Sequence, residues 1–246
     1  MSVSDLSGVE RAAVAGWYGK LPALGDFASR RLPASFVALW DEWLQRSIAA
    51  SRDQLGERWL GIYLKSPMWR FALMPRVCGP TFWTGVMMPS VDRVGRYFPL
   101  TLALPLAPAF DVLGLVTGAH AWFDAIEQIA LATLRADFDA DALELALAGE
   151  PFPFGAAVEV PLPERAAATE LALWWRGAGD APLHLDLSST RVLASLIRLA
   201  GPELLAALGD GRSLWWTRDG PEGATALSAF IGLPVPQAFA GMLGVG

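Results

Sequence analysis

The sequence predicts an α/β fold, a layered sandwich in which a mixed, largely antiparallel sheet is covered by helices. Three observations carry that expectation. An apolar pattern with helical spacing runs from Pro33 to Ser51. A series of short aromatic and β-branched runs punctuated by Gly and Pro occupies residues 60–104. Helical spacing then returns after Asp111.

Each element has its own signature. Residues 1–13 are small or polar and read as a tail. In the first helix, Phe36, Leu39, Trp40, Trp43, Leu44 and Ile48 recur three and four apart with Asp41, Glu42, Gln45 and Arg46 between them. Leu60–Leu64, Met68–Met74, Phe82–Met88 and Phe98–Leu104 are too short for independent helices. Ser66-Pro67, Gly79-Pro80 and the segment from Pro89 to Gly95 separate them, so they read as consecutive strands of a meander. A second helix is expected over Val112–Arg135, weakened at its start by Gly114 and Gly118, and a shorter one near Ala140–Ala148. The prolines at 151, 153, 161 and 163 bracket a possible strand at Ala156–Val160 and mark a join between a region 14–150 and a region 151–246 packed on it. Beyond the join, strands are expected at Leu171–Trp175, Leu183–Leu187 and Ser213–Thr217, with a helix over Thr190–Leu199. The paired tryptophans at 174–175 and 215–216 suggest a faint internal repeat.

Composition narrows the function. The 246 residues are 53% hydrophobic and only 18% charged, so a large core is expected and disorder is excluded. A net charge of −6 offers no surplus cation to pair with phosphates, which argues against nucleic-acid binding. Mean hydropathy is +0.36, yet Pro99, Pro105, Pro108 and Asp111 interrupt the most apolar stretch before it reaches a membrane-spanning length. The first residues lack a cationic, apolar leader, and the lone cysteine, Cys78, has no internal disulfide partner. Both point to the cytoplasm.

The search for catalytic and cofactor motifs is mostly negative. There is no H-E-x-x-H, C-x-x-C, G-x-S-x-G or phosphate-binding Gly-rich loop, and no cofactor is expected. His120 and His184 lie in apolar periodic segments and read as packing residues. Cys78, in a turn before Gly79-Pro80, lacks a neighbouring base. Asp137, Asp139 and Asp141 match the first ligand positions of a calcium loop, but Ala142 stands where glycine is needed and Ala148 where a bidentate Glu is needed. They read as the start of a helix.

Two charged, turn-like segments remain. One runs from Gly16 through Lys20, Asp26 and Phe27 to Arg30 and Arg31. The other runs from Gly85 through Met88-Pro89-Ser90-Val91-Asp92-Arg93-Val94-Gly95-Arg96 to Leu100. In one reading, Asp26 and Asp92 accept backbone N–H bonds and pair with nearby arginines to tighten turns. In the other, Asp26, Arg30, Arg31, Asp92, Arg93 and Arg96 line or support a surface that grips a protein partner. Seventeen of the 19 basic residues are arginine and there are 11 tryptophans, both enriched at interface hot spots. A competing, enzymatic reading brings Asp26, Asp41 and Asp92 together as metal ligands of a phosphoprotein hydrolase and requires a compact carboxylate cluster.

These two segments, with Trp40-Asp41-Glu42-Trp43-Leu44 and Ser66-Pro67-Met68-Trp69-Arg70-Phe71, resemble in kind and order the TagF family, also called ImpM, of type VI secretion-associated proteins. The resemblance covers about residues 14–105. It implies a cytoplasmic accessory protein that represses assembly of the secretion apparatus after translation. The implied partner is the forkhead-associated scaffold protein of that system. It implies no catalytic residues. Some relatives carry a fused phosphatase domain, which this chain is expected to lack.

Overall fold

The computed structural model describes residues 13–107, 110–135, 137–153, 162–175, 183, 185, 199–202, 204, 205, 207–218 and 226–244. Seven strands form one sheet: β1 (Gly16–Gly19), β2 (Ala28–Arg30), β3 (Trp69–Leu73), β4 (Phe82–Met88), β5 (Leu100–Leu106), β6 (Arg212–Thr217) and β7 (Leu227–Ile231). Their spatial order is β2-β1-β5-β4-β3-β6-β7, and every neighbouring pair is antiparallel. The expected largely antiparallel sheet is therefore antiparallel at every described pairing.

Strand alternation divides the core between the two faces. Tyr18, Trp69, Phe71, Leu73, Trp83, Met87 and Trp215 point to one face, where they meet Phe36, Trp40, Trp43 and Leu44 of α1 (Ala34–Leu55). Trp59 and Tyr63 of α2 (Trp59–Tyr63) pack on the same face. Trp17, Val86, Met88, Leu102, Leu104 and Trp216 point to the other face. There they meet Leu115 of α3 (Val112–Gly118), Phe123 and Ile126 of α4 (His120–Ala132) and Leu143 and Leu147 of α5 (Ala140–Gly149). Helices thus cover both faces, and adjacent tryptophans 215 and 216 serve different cores.

Several expectations are corrected. Leu60–Leu64 lies in a helix rather than a strand: Trp59 and Tyr63, four residues apart, bury one side of a single helical turn, a pattern that a five-residue apolar run cannot distinguish from a strand. The long helix expected from Val112 divides at Ala119 into α3 and α4, directly after Gly118, whose backbone freedom makes continuation costly. Leu171–Trp175 is the end of helix α6 (Leu162–Trp175), not a strand. Its run of Ala, Glu and Leu favours helix, and Ala168 and Ala172, one turn apart, are buried. The paired tryptophans therefore occupy a helix in one copy and a strand in the other, and they do not form a structural repeat. His120 is exposed, contrary to its reading as a packing residue. Strands β1, β2 and β7 and the last helix, α7 (Phe239–Leu243), were not anticipated. The strand expected at Ala156–Val160, most of the strand expected at Leu183–Leu187 and most of the helix expected over Thr190–Leu199 lie outside the described residues, as does nearly all of the tail 1–13.

β6, from the second half of the chain, pairs along its length with β3 from the first, so both halves share the sheet. At one crossing glycine is obligatory: a Cβ on Gly85 would sit 2.0 Å from the Leu102 carbonyl oxygen. No helix among the described residues is long and apolar enough to cross a membrane.

Candidate functional site

The two charged segments come together at one end of the sheet. The first links β1 to β2 and the second links β4 to β5. Because β1 and β5 are paired neighbours, the topology brings the connections side by side. The backbone stitches them: Arg93 N–H donates to the Leu24 carbonyl at 3.0 Å, and the Ser90 hydroxyl donates to the Lys20 carbonyl at 2.7 Å. The Tyr63 hydroxyl, from α2, both donates to the Ser90 carbonyl and accepts from the Ser90 N–H, each at 3.0 Å.

Asp92 is the centre of the arrangement. Its side chain is fully buried, and Oδ2 accepts from Lys20 Nζ at 2.6 Å and from Arg96 Nε at 2.7 Å. Oδ1 accepts from the Arg96 N–H at 2.8 Å and the Val94 N–H at 3.1 Å, closing a turn over residues 92–96 in which Gly95 has φ +82°. Burial by itself would raise the Asp92 pKa, but the Lys20 ammonium, the two backbone N–H groups and the Arg96 guanidinium outweigh it. They hold the carboxyl far below the ordinary carboxylate range. Lys20 is equally enclosed, with its ammonium 4.7 Å from the centre of the Phe27 ring. Phe27 stacks on Tyr18 and meets Phe98 edge to face, while Arg96 Nη2 donates to the Gly25 carbonyl.

The six candidate residues consequently divide by what they can reach. Asp92 cannot touch a partner: it holds the double loop together from inside, as the turn-tightening reading requires. Arg96 spans both roles, since its guanidinium binds Asp92 and Gly25 while its side chain stays 55% exposed. Arg31 belongs to another corner. It has φ +58°, donates to the Ala15 carbonyl and pairs with Glu144 of α5, tying β2 to the helical layer. Asp26, Arg30 and Arg93 are exposed. Asp26 accepts from the Phe27 N–H, and Arg30 lies 6.0 Å from the Trp17 ring. The outer surface of the double loop is therefore formed by Asp26, Phe27, Arg93, Val94 and the rim of Arg96, with Phe27 42% and Val94 64% exposed.

Sequence reasoning missed Lys20, Phe27 and Val94. Lys20 is one of only two lysines and stands inside the first charged segment, which was the available signal, but its partner is 72 positions away. The enzymatic reading required a carboxylate cluster that the fold does not build. Asp26 caps its own turn, Asp41 accepts from the Tyr18 hydroxyl and Gln45, and Asp92 is saturated by four donors. Among the described residues no three His, Cys, Asp or Glu side chains converge as a metal site would need. The acidic run near α5 behaves as a helix start: Asp139 accepts from the Ala142 N–H at 2.9 Å, and Asp137 pairs with Arg135.

A family model and a solved structure resemble the chain. The model of the TagF N-terminal domain, described as type VI secretion system-associated, matches residues 16–149, which include both loops and the first five strands. The crystal structure of PA0076 from Pseudomonas aeruginosa PAO1 is similar over 93% of each chain, at 38% sequence identity and a TM-score of 0.72. No curated protein sequence matches the chain. With more than half of its length matched by the family model and a solved relative sharing its fold nearly end to end, this chain belongs to the TagF family of type VI secretion system-associated proteins.

Proposed function

We propose that this protein is a non-catalytic regulatory accessory of the type VI secretion system, a post-translational repressor that works in the cytoplasm by binding the forkhead-associated scaffold protein. Family membership supports the setting. The observation that carries the binding mode is the double loop. A buried ion pair, Lys20–Asp92, and a web of backbone bonds fix the loop backbone that presents Arg93, Val94, Phe27 and Arg96 outward. Such a surface loses little backbone freedom on docking, and arginine with aromatic neighbours is the combination enriched at interface hot spots.

The test is capture of the purified scaffold by the purified chain, measured calorimetrically. Arg93→Glu reverses a charge on an exposed side chain and should weaken binding at least tenfold while leaving the thermal midpoint unchanged. Arg30→Glu, on the edge strand, should add to the loss if β2 borders the contact. Absence of any binding by the unmodified chain would refute the partner, whereas undiminished binding by Arg93→Glu would remove this loop from the interface.

A further inference from the structure

The two edges of the sheet differ in a way that points to a second interaction surface. β2 is defended: it has three residues, an exposed arginine at its end, Arg31 at positive φ immediately after it and Pro33 beyond. Short length, charge and proline are the devices by which edge strands avoid pairing with other chains. β7 ends in a similar way, with Gly232 at positive φ immediately after it and Pro234 beyond, but the strand itself carries neither charge nor proline. Leu-Ser-Ala-Phe-Ile is uncharged, proline-free and longer, and among the described residues no strand pairs with its outer edge. Leu227 is 69% and Ile231 85% exposed, an unusual state for large aliphatic side chains in a strand.

The register defines what this edge can accept. Gly232 N–H donates to the Gly211 carbonyl, and Thr217 N–H donates to the Ala226 carbonyl. By the alternation of an antiparallel ladder, residues 226, 228, 230 and 232 therefore direct their backbone groups toward β6. Leu227, Ala229 and Ile231 direct theirs outward. An antiparallel partner of the same sequence, related by a two-fold axis through Ala229, sets outward groups against outward groups: Ala229 against Ala229, and Leu227 against Ile231 at both ends. All three are hydrogen-bonded pairs, giving about six backbone bonds. Leu227 and Ile231, on the same face of β7, would each gain an apolar cross-strand neighbour. No like charges meet, and a two-fold contact requires this kind of self-complementarity.

We infer that β7 is a homodimerisation edge, through which two copies of this chain pair antiparallel about Ala229 and join their seven-stranded sheets into one. The inference is independent of the double loop and of the scaffold. A single five-residue strand pair is a small interface, so the association is weak and concentration-dependent. Sedimentation of the full chain from low micromolar to several hundred micromolar should show the mass rise from 26.4 kDa toward twice that value. Ala229→Lys, at an exposed position, places two ammonium groups face to face and should hold the mass at that of one chain without altering the circular dichroism spectrum or thermal midpoint. Ala229→Cys should yield a covalent dimer on oxidation, whereas Ile231→Cys, opposite Leu227, should yield far less; the native Cys78 is buried and does not compete. A constant single-chain mass for the unmodified protein, a dimer indifferent to Ala229→Lys, or cross-linking of Ile231→Cys equal to that of Ala229→Cys would overturn the inference.

Discussion

Replacing Asp92 with alanine removes four acceptor contacts at once and leaves the Lys20 ammonium enclosed, with the Phe27 ring and no carboxylate to balance it. Losing one member of a buried, hydrogen-bonded ion pair costs about 3–5 kcal/mol, because the remaining charge keeps its desolvation penalty and loses its compensation. For a chain of this size about 2–4 °C of midpoint accompanies each kcal/mol, so a fall on the order of 10 °C is expected. Replacing both partners, Lys20→Met with Asp92→Ala, should cost less than the sum of the single changes, since no unpaired charge remains. The pH dependence follows from the depressed Asp92 pKa. The stabilisation is complete above the unfolded carboxylate value of about 4 and is lost as pH falls through the lower folded value, so the unmodified protein weakens on acidification below about pH 4. Asp92→Asn lacks that component, and its stability should fall less steeply, by up to about 1.4 kcal/mol per pH unit in that window. Urea unfolding of the unmodified protein, Asp92→Ala, Lys20→Met, the double variant and Asp92→Asn at neutral pH, and of the unmodified protein and Asp92→Asn down to pH 3, measures each quantity. A loss under about 1 kcal/mol for Asp92→Ala, the range of ordinary surface substitutions, would refute the assignment of this pair as the organiser of the double loop.

Arg70 on β3 should behave in the same way for the opposite face. It donates to Glu127 at 2.7 and 3.0 Å and to Asp124 at 2.6 Å, so Arg70→Met strands the buried Glu127 and should cost about 3–5 kcal/mol in urea unfolding, with part of the loss regained in Arg70→Met/Glu127→Met. Burial pushes the Cys78 thiol up to about 12, so the thiol should react with a disulfide reagent at pH 8 only after denaturant is added; prompt labelling of the folded chain would contradict its enclosure.

Among the elements, α1, β3, β4 and β6 were legible in the sequence because local pattern and tertiary role agree in them. The three- and four-residue spacing in α1 is the face that packs on the sheet, and the Gly and Pro around β3 and β4 are the turns that end them. Where the sequence reading failed, local pattern and tertiary role diverge. Trp59–Tyr63 is apolar enough for a strand but buries only one helical side, and β1, β2 and β7 are too short or too weakly patterned to exist without the neighbours they pair with.

The same boundary runs through the site. Composition and spacing sufficed for the α/β class and the two charged segments, and the resemblance of the quoted motifs to a known family sufficed for the family, because all of these are carried by residues close together in the chain. Only the tertiary structure decided that Asp92 is a buried anchor for Lys20 and Arg96, that Arg31 serves a different corner, and that Arg93, Phe27 and Val94 form the outer surface. The physical reason is that ion pairing and burial depend on distance in space. A pairing of β1 with β5 brings residues 20 and 92 to 2.6 Å, and no local pattern encodes a contact between positions so far apart in the chain.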